Sequence, residues 1–128
     1  MILTNREMVT FLNSVGIIKE MVLPVKASYA VSKNIKKIEK EIEAYNEERA
    51  KLLDKYGEKD EDGNLVVSEE QNIKIVPENV EKWNKDLSEL LDIEVEVDIH
   101  KLKFSVLEES GTVMSISGIQ SIDFMLED

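Results

Sequence analysis

The chain has 128 residues, 42% hydrophobic and 34% charged, which is enough for a single domain, 1–128, with a packed core, and excludes a disordered chain. Sixteen basic residues against 27 acidic ones leave a formal charge of −11, which argues against duplex nucleic acid or an anionic membrane as the main partner. Cysteine is absent, so disulfides, thiolate nucleophiles and cysteine zinc sites are excluded.

The N-terminal MILTNREMVTF lacks a charged-then-apolar leader pattern. No apolar stretch nears the ~20 residues of a membrane span. A soluble cytoplasmic protein is expected. Thr4-Asn5-Arg6-Glu7 has the form of a capping box, in which two side chains satisfy the free amides of a helix start. Met8, Phe11, Leu12 and Val15 follow at helical spacing, and Gly16 marks a stop. IIKEMVL, residues 17–23, is ambiguous between helix and strand.

The strongest periodicity comes next. Ile35, Ile38, Ile42, Tyr45, Leu52 and Tyr56 fall in alternating steps of three and four, with charged Arg49 in one slot. This predicts a long helix from about Ala27 to Tyr56, ended by Gly57. Pro77 suits the first turn of a second helix, and Val80, Trp83, Leu87 and Leu90 repeat the spacing. Two helices with matching stripes predict a helical hairpin. Between them, Asp62-Gly63 flanked by LVV and IKIV predicts an inserted β-hairpin. No internal repeat is evident.

Ile93, Val95, Val97 and Ile99 alternate with Glu94, Glu96 and Asp98, the pattern of a half-buried strand whose acids form a wet face. The apolar parity then shifts to Leu102, Phe104 and Val106, which predicts a turn near His100 and a second strand. After a loop at Gly111, a short C-terminal helix is expected, capped by Ser117. The expected class is α+β: a long helical hairpin with an inserted β-hairpin, then a small antiparallel strand pair and the closing helix.

Two clusters could bind ions. Glu58, Asp60, Asp62, Gly63 and Glu69 match positions of a calcium loop, but Ile73 and Ile75 alternate as a strand does and Pro77 follows, so the exiting helix is missing. The hairpin is the preferred reading and calcium the alternative. Lys33, Lys36, Lys37 and Lys40, with Lys26 upstream, share one helix face and could hold an anion; the alternative is a solvated face among Glu39, Glu41 and Glu43. The single histidine, His100, has no marked partner beyond Asp98, and Trp83 belongs to an apolar stripe. No phosphate loop, nucleophile elbow or HExxH motif occurs, so no catalytic residue, resident metal or cofactor is expected, and an enzyme is not the favoured reading.

The segments YNEERAKLLDKYGEKDEDGN, ELLDIEVEVDIHKL and IDFMLED, with a weaker echo in LPVKASYAVSKN, cover about half the chain. In these the chain resembles a family of small uncharacterised proteins of tailed phages and prophages of low-GC Gram-positive bacteria. The resemblance implies a phage origin, a host-cytoplasmic setting and a helix-to-hairpin junction at the acidic DEDG. It carries no catalytic residue to any position here.

The expected function is therefore a non-enzymatic interaction protein that binds a host protein, such as a defence factor, or sequesters a small anionic signal. A structural or assembly accessory role is the alternative. The long stripe exceeds its partner helix, so either the first helix or a second copy must cover the rest; a homodimer through the long helix is expected.

Overall fold

A computed structural model describes residues 1–111 and 114–128. In chain order the elements are β1 (Ile2–Thr4), α1 (Asn5–Asn13), α2 (Val15–Lys19), α3 (Val25–Glu41), α4 (Glu43–Tyr56), a 3-10 turn (Pro77–Asn79) and α5 (Val80–Leu91). Then come β2 (Glu94–Glu96), β3 (Leu102–Lys103), α6 (Phe104–Glu109), α7 (Ile116–Ile122), a second 3-10 turn (Asp123–Met125) and β4 (Leu126–Glu127). The fold is α+β, as the periodicities predict. The chain forms two compact units, Met1–Ile42 with Glu94–Asp128, and Glu43–Ile93.

In the first unit, α1 starts at the predicted capping box. The Thr4 hydroxyl accepts the Glu7 N–H at 3.1 Å, and the Glu7 carboxylate accepts the Thr4 N–H at 3.1 Å. Gly16 does not end that helix. The break falls at Ser14, whose hydroxyl bonds back to the Phe11 carbonyl, and Gly16 lies inside α2. Helix α1 packs on α3 and so covers the N-terminal part of the long stripe. Met8, Ile38, Ile122 and Met125 are fully buried, and Phe11 meets Phe124 edge-to-face with centroids 5.0 Å apart.

The antiparallel strand pair joins β2 to β1, with Leu3 opposite Val95. Val97 and Ile99 are buried, Val95 is half-buried and Glu94, Glu96 and Asp98 are exposed, as the alternation predicts, but Ile93 is exposed and lies before the strand. Beyond His100 the chain differs from expectation. Leu102 and Lys103 form a strand that pairs in parallel with β4, and Phe104 starts a helix instead of extending the strand. The parity of Leu102, Phe104 and Val106 suits two strand residues followed by a short helix equally well, because so short a run spans fewer than two helical turns. Helix α7 is capped by Ser115, which accepts the Gly118 N–H, two residues before the expected Ser117. Part of the loop expected after Gly111 falls on residues 112 and 113, outside the described residues.

The single helix expected from Ala27 to Tyr56 is divided at Ile42, the C-cap of α3, and in the second unit its C-terminal part, α4, forms the helical hairpin with α5. Tyr45, Leu53 and Tyr56 are the buried residues of α4, with Leu53 rather than Leu52 turned inward. The charge in the apolar stripe has a use: the Arg49 guanidinium lies 6.0 Å from the Trp83 ring centroid, a cation–π placement. The Tyr56 hydroxyl donates to the Asp86 carboxylate at 2.6 Å, tying α4 to α5.

The connection between those helices contains an eight-residue structural repeat. Val66 N–H donates to Glu58 O, Lys74 N–H to Val66 O, and Glu58 N–H to Lys74 O, so three short β segments close into a triangle. The corner bonds repeat with the same step: Asp60 N–H to Asn64 O, Ser68 N–H to Asn72 O, and Val76 N–H to Tyr56 O. The expected hairpin at Asp62-Gly63 is the first corner. Gly57, Leu65 and Ile73 occupy equivalent positions. A Cβ on Gly57 would fall 2.6 Å from Leu65 Cδ2 and 2.5 Å from the Leu53 carbonyl, so this corner has room only for glycine.

Candidate functional site

The two clusters singled out in the sequence fare differently in space. Glu58, Asp60, Asp62 and Glu69 are all exposed on the triangular insertion. The Asp60 carboxylate is turned into its own corner, where Oδ1 accepts the N–H of Asp62 at 2.9 Å and of Asn64 at 3.0 Å. Among the described residues, no three His, Cys, Asp or Glu side chains come together in a metal-holding group.

The lysine face of α3 is divided. The Lys37 ammonium donates to the Asp98 carbonyl at 2.6 Å and lies 3.5 Å from its carboxylate. Lys36 and Lys40 are exposed. Lys33 instead sits with its ammonium 5.6 Å from the centroid of the Tyr29 ring. Tyr29 leads to the basic cleft.

That cleft, about 540 Å³ in volume, is lined by Lys26, Tyr29, His100, Lys101 and Lys103 over Val25, Ala30, Leu102 and Val106. Lys26, Tyr29 and Lys33 come together because steps of three and four share a helix face. Lys101 and Lys103 project together because they flank Leu102, which is buried, at the alternating spacing of a strand. The intervening backbone is held from below. Asn34, fully buried on α3, accepts the His100 N–H with its amide oxygen at 2.7 Å and donates its amide nitrogen to the His100 carbonyl at 2.9 Å.

The electrostatics of the cleft contrast with the acidic chain around it: its lining holds three lysines and a histidine and no carboxylate. The first turn of α3 carries Lys26, no acid and no side-chain cap, which leaves its amides and partial positive charge open to an anion. Tyr29, 59% exposed, stands edge-on to the His100 ring at 5.9 Å and offers an aromatic edge to a ligand. Lys101 spends one donor on the Phe124 carbonyl at 3.1 Å, which steadies its ammonium and leaves its other protons for a ligand.

Of the lining residues, Lys26 and His100 stand out in the sequence, and Tyr29, Lys101 and Lys103 do not. The signal available was HKLK, residues 100–103, three basic side chains in four positions with the apolar one in the strand-inward place.

Among the described residues, no helix is long and apolar enough to cross a membrane. The whole chain, residues 1–128, matches the family model described as protein of unknown function (DUF1617). No curated protein and no solved structure matches it.

Proposed function

We propose that this chain, which belongs to the DUF1617 family of proteins of unknown function, is a non-enzymatic binding protein that sequesters a small, multiply charged anion in its basic cleft. The observation that carries the reading is the carboxylate-free lining of Lys26, Lys101, Lys103 and His100 in a chain of net charge −11. A contact between unit charges in water is worth about 1 kcal/mol. A monovalent anion would therefore bind weakly, while one with several charges engages the lysines together. A phage or prophage origin and action in the host cytoplasm complete the proposal, and rest on the sequence resemblance.

The test is titration calorimetry with inorganic pyrophosphate on the full chain. Saturable binding is expected, weakened at least tenfold by Lys101→Ala with Lys103→Ala and unchanged by Lys36→Ala with Lys40→Ala. Equal loss in both pairs would replace a defined cleft with diffuse attraction.

A second reading, binding of a protein partner, is favoured by α5. No residue of that helix is fully buried, and Trp83, Leu87, Leu90 and Leu91 all remain half-exposed. A second copy of the chain, a host defence protein or a phage assembly protein would each gain by covering this face. A mass by light scattering that stays monomeric at every concentration excludes the second copy. Co-purification with virion proteins selects the assembly role over inhibition of a host protein.

A further inference from the structure

Helix α5 carries two seams. One runs beside α4, where Trp83 meets the Arg49 guanidinium and the neighbouring Asp86 carboxylate accepts the Tyr56 hydroxyl. The other is Val80, Asn84, Leu87 and Leu91, whose steps of four, three and four set all four on one face, about a quarter turn round the helix. Val80 is 40% exposed, Asn84 is exposed, and Leu87 and Leu91 are half-buried. This seam holds no charge. Glu81 and Ser88 border it on the side away from α4, and Lys82, Lys85 and Glu89 lie round the back of the helix. The unit around it is short of core: from Glu43 to Ile93 the buried hydrophobic side chains are Tyr45, Leu53 and Tyr56.

The single amide among three aliphatic side chains limits what can cover the seam. Asn84 carries both donors and an acceptor, and pressed against an aliphatic side chain it would lose its water with no hydrogen bond in exchange. Facing its own copy across a two-fold axis, each Asn84 amide supplies the other with a donor and an acceptor. The same symmetry brings Val80, Leu87 and Leu91 onto their equivalents.

We infer that the occupant of this seam is a second copy of the chain, docked α5 to α5 in parallel about a two-fold axis. The inference rests on the protein-partner reading of α5 and selects one of its occupants. The net charge of −11 does not oppose the joint locally, because the seam is uncharged and the two-fold axis sets the two Glu81 side chains on opposite sides of it. Each α5 is already folded on its α4, so association needs no helix nucleation. Twelve residues give about 18 Å of helix, a small interface, and the dimer is therefore weak.

The chain has no cysteine, so a single introduced cysteine reports its own contacts. Full-length Asn84→Cys and Lys85→Cys are incubated with oxidised glutathione. Asn84→Cys is expected to cross-link at least tenfold faster, since parallel pairing brings its two Cα atoms within the ~4.4–6.8 Å that a disulfide spans, while position 85 is turned away. Sedimentation equilibrium of the unaltered chain should show a monomer–dimer equilibrium below about 1 mM that strengthens with salt, as repulsion between two acidic copies is screened. Asn84→Asp, at an exposed position, sets two carboxylates face to face and should weaken the dimer at least tenfold. A chain that stays monomeric up to about 1 mM overturns the inference and leaves α5 to a protein of different sequence. A dimer that Asn84→Asp does not weaken, or Lys85→Cys cross-linking as fast as Asn84→Cys, overturns it as well.

Discussion

Asn34 grips the backbone of His100 with both ends of its amide, over a sequence separation of 66 residues. The amide nitrogen also faces Met125 Sδ at 3.4 Å, and no buried side-chain polar atom among the described residues lacks a partner. This one side chain fixes where the chain turns after Ile99 and therefore where Lys101 and Lys103 project. Asn34→Ala would strand the N–H and carbonyl of His100 and is expected to cost about 2–4 kcal/mol. His100→Ala keeps both backbone bonds and is expected to cost under about 1 kcal/mol. Urea denaturation of the two variants measures the difference, and equal losses would mean that the ring, not the backbone, holds the turn.

The triangular insertion predicts opposite effects at two equivalent positions. Gly63 and Gln71 are the third residues after the corner donors Asp60 and Ser68, and both have positive φ, 81° and 63°. The left-handed region costs a residue with a Cβ roughly 1 kcal/mol. Gly63→Ala should therefore destabilise by about 1 kcal/mol and Gln71→Gly should stabilise by about 0.5–1 kcal/mol. Melting curves read both, and a loss at Gln71→Gly would contradict the equivalence.

Gly57→Ala probes crowding instead of dihedral strain. The new methyl meets a backbone carbonyl that cannot withdraw, and the Leu65 side chain besides. An overpacking cost of about 1–3 kcal/mol is expected. Pairing it with Leu65→Ala relieves only the side-chain clash, so the double variant should recover less than the full loss in thermal denaturation.

Tyr56→Phe removes the hydroxyl that donates to Asp86 between the two helices of the hairpin. A hydrogen bond to a charged acceptor in a half-buried setting is worth about 1.5–3 kcal/mol. Chemical denaturation should show that loss. Lys51→Ala, at a fully exposed ion pair with Glu48, should change stability little.

Much of the architecture was legible in local pattern. The capping box at Thr4–Glu7, the hairpin helices, Pro77 opening the 3-10 turn and the alternation of Val95, Val97 and Ile99 all follow from short-range chemistry. Long-range pairing was not. Nothing local in Ile2–Thr4 names Glu94–Glu96 as its partner, and nothing in Leu126–Glu127 points to Leu102–Lys103. The triangle stayed hidden because its repeats, GEKDEDGN, LVVSEEQN and IKIVPENV, share a backbone hydrogen-bond plan more than side chains. Of the basic cleft, the α3 contribution that was legible in the sequence is Lys26, upstream of the lysine face. Lys101 and Lys103 join it only through the buried Asn34 contact and the parallel strand pair.

The most direct measurement is a ¹H–¹⁵N shift map of the full chain titrated with inorganic pyrophosphate. The account predicts saturable shifts confined to Lys26, Tyr29 and the run His100–Lys103, diminishing as salt is raised. Shifts spread along Lys33, Lys36, Lys37 and Lys40 with none at His100–Lys103, or no saturable shift at all, would contradict it.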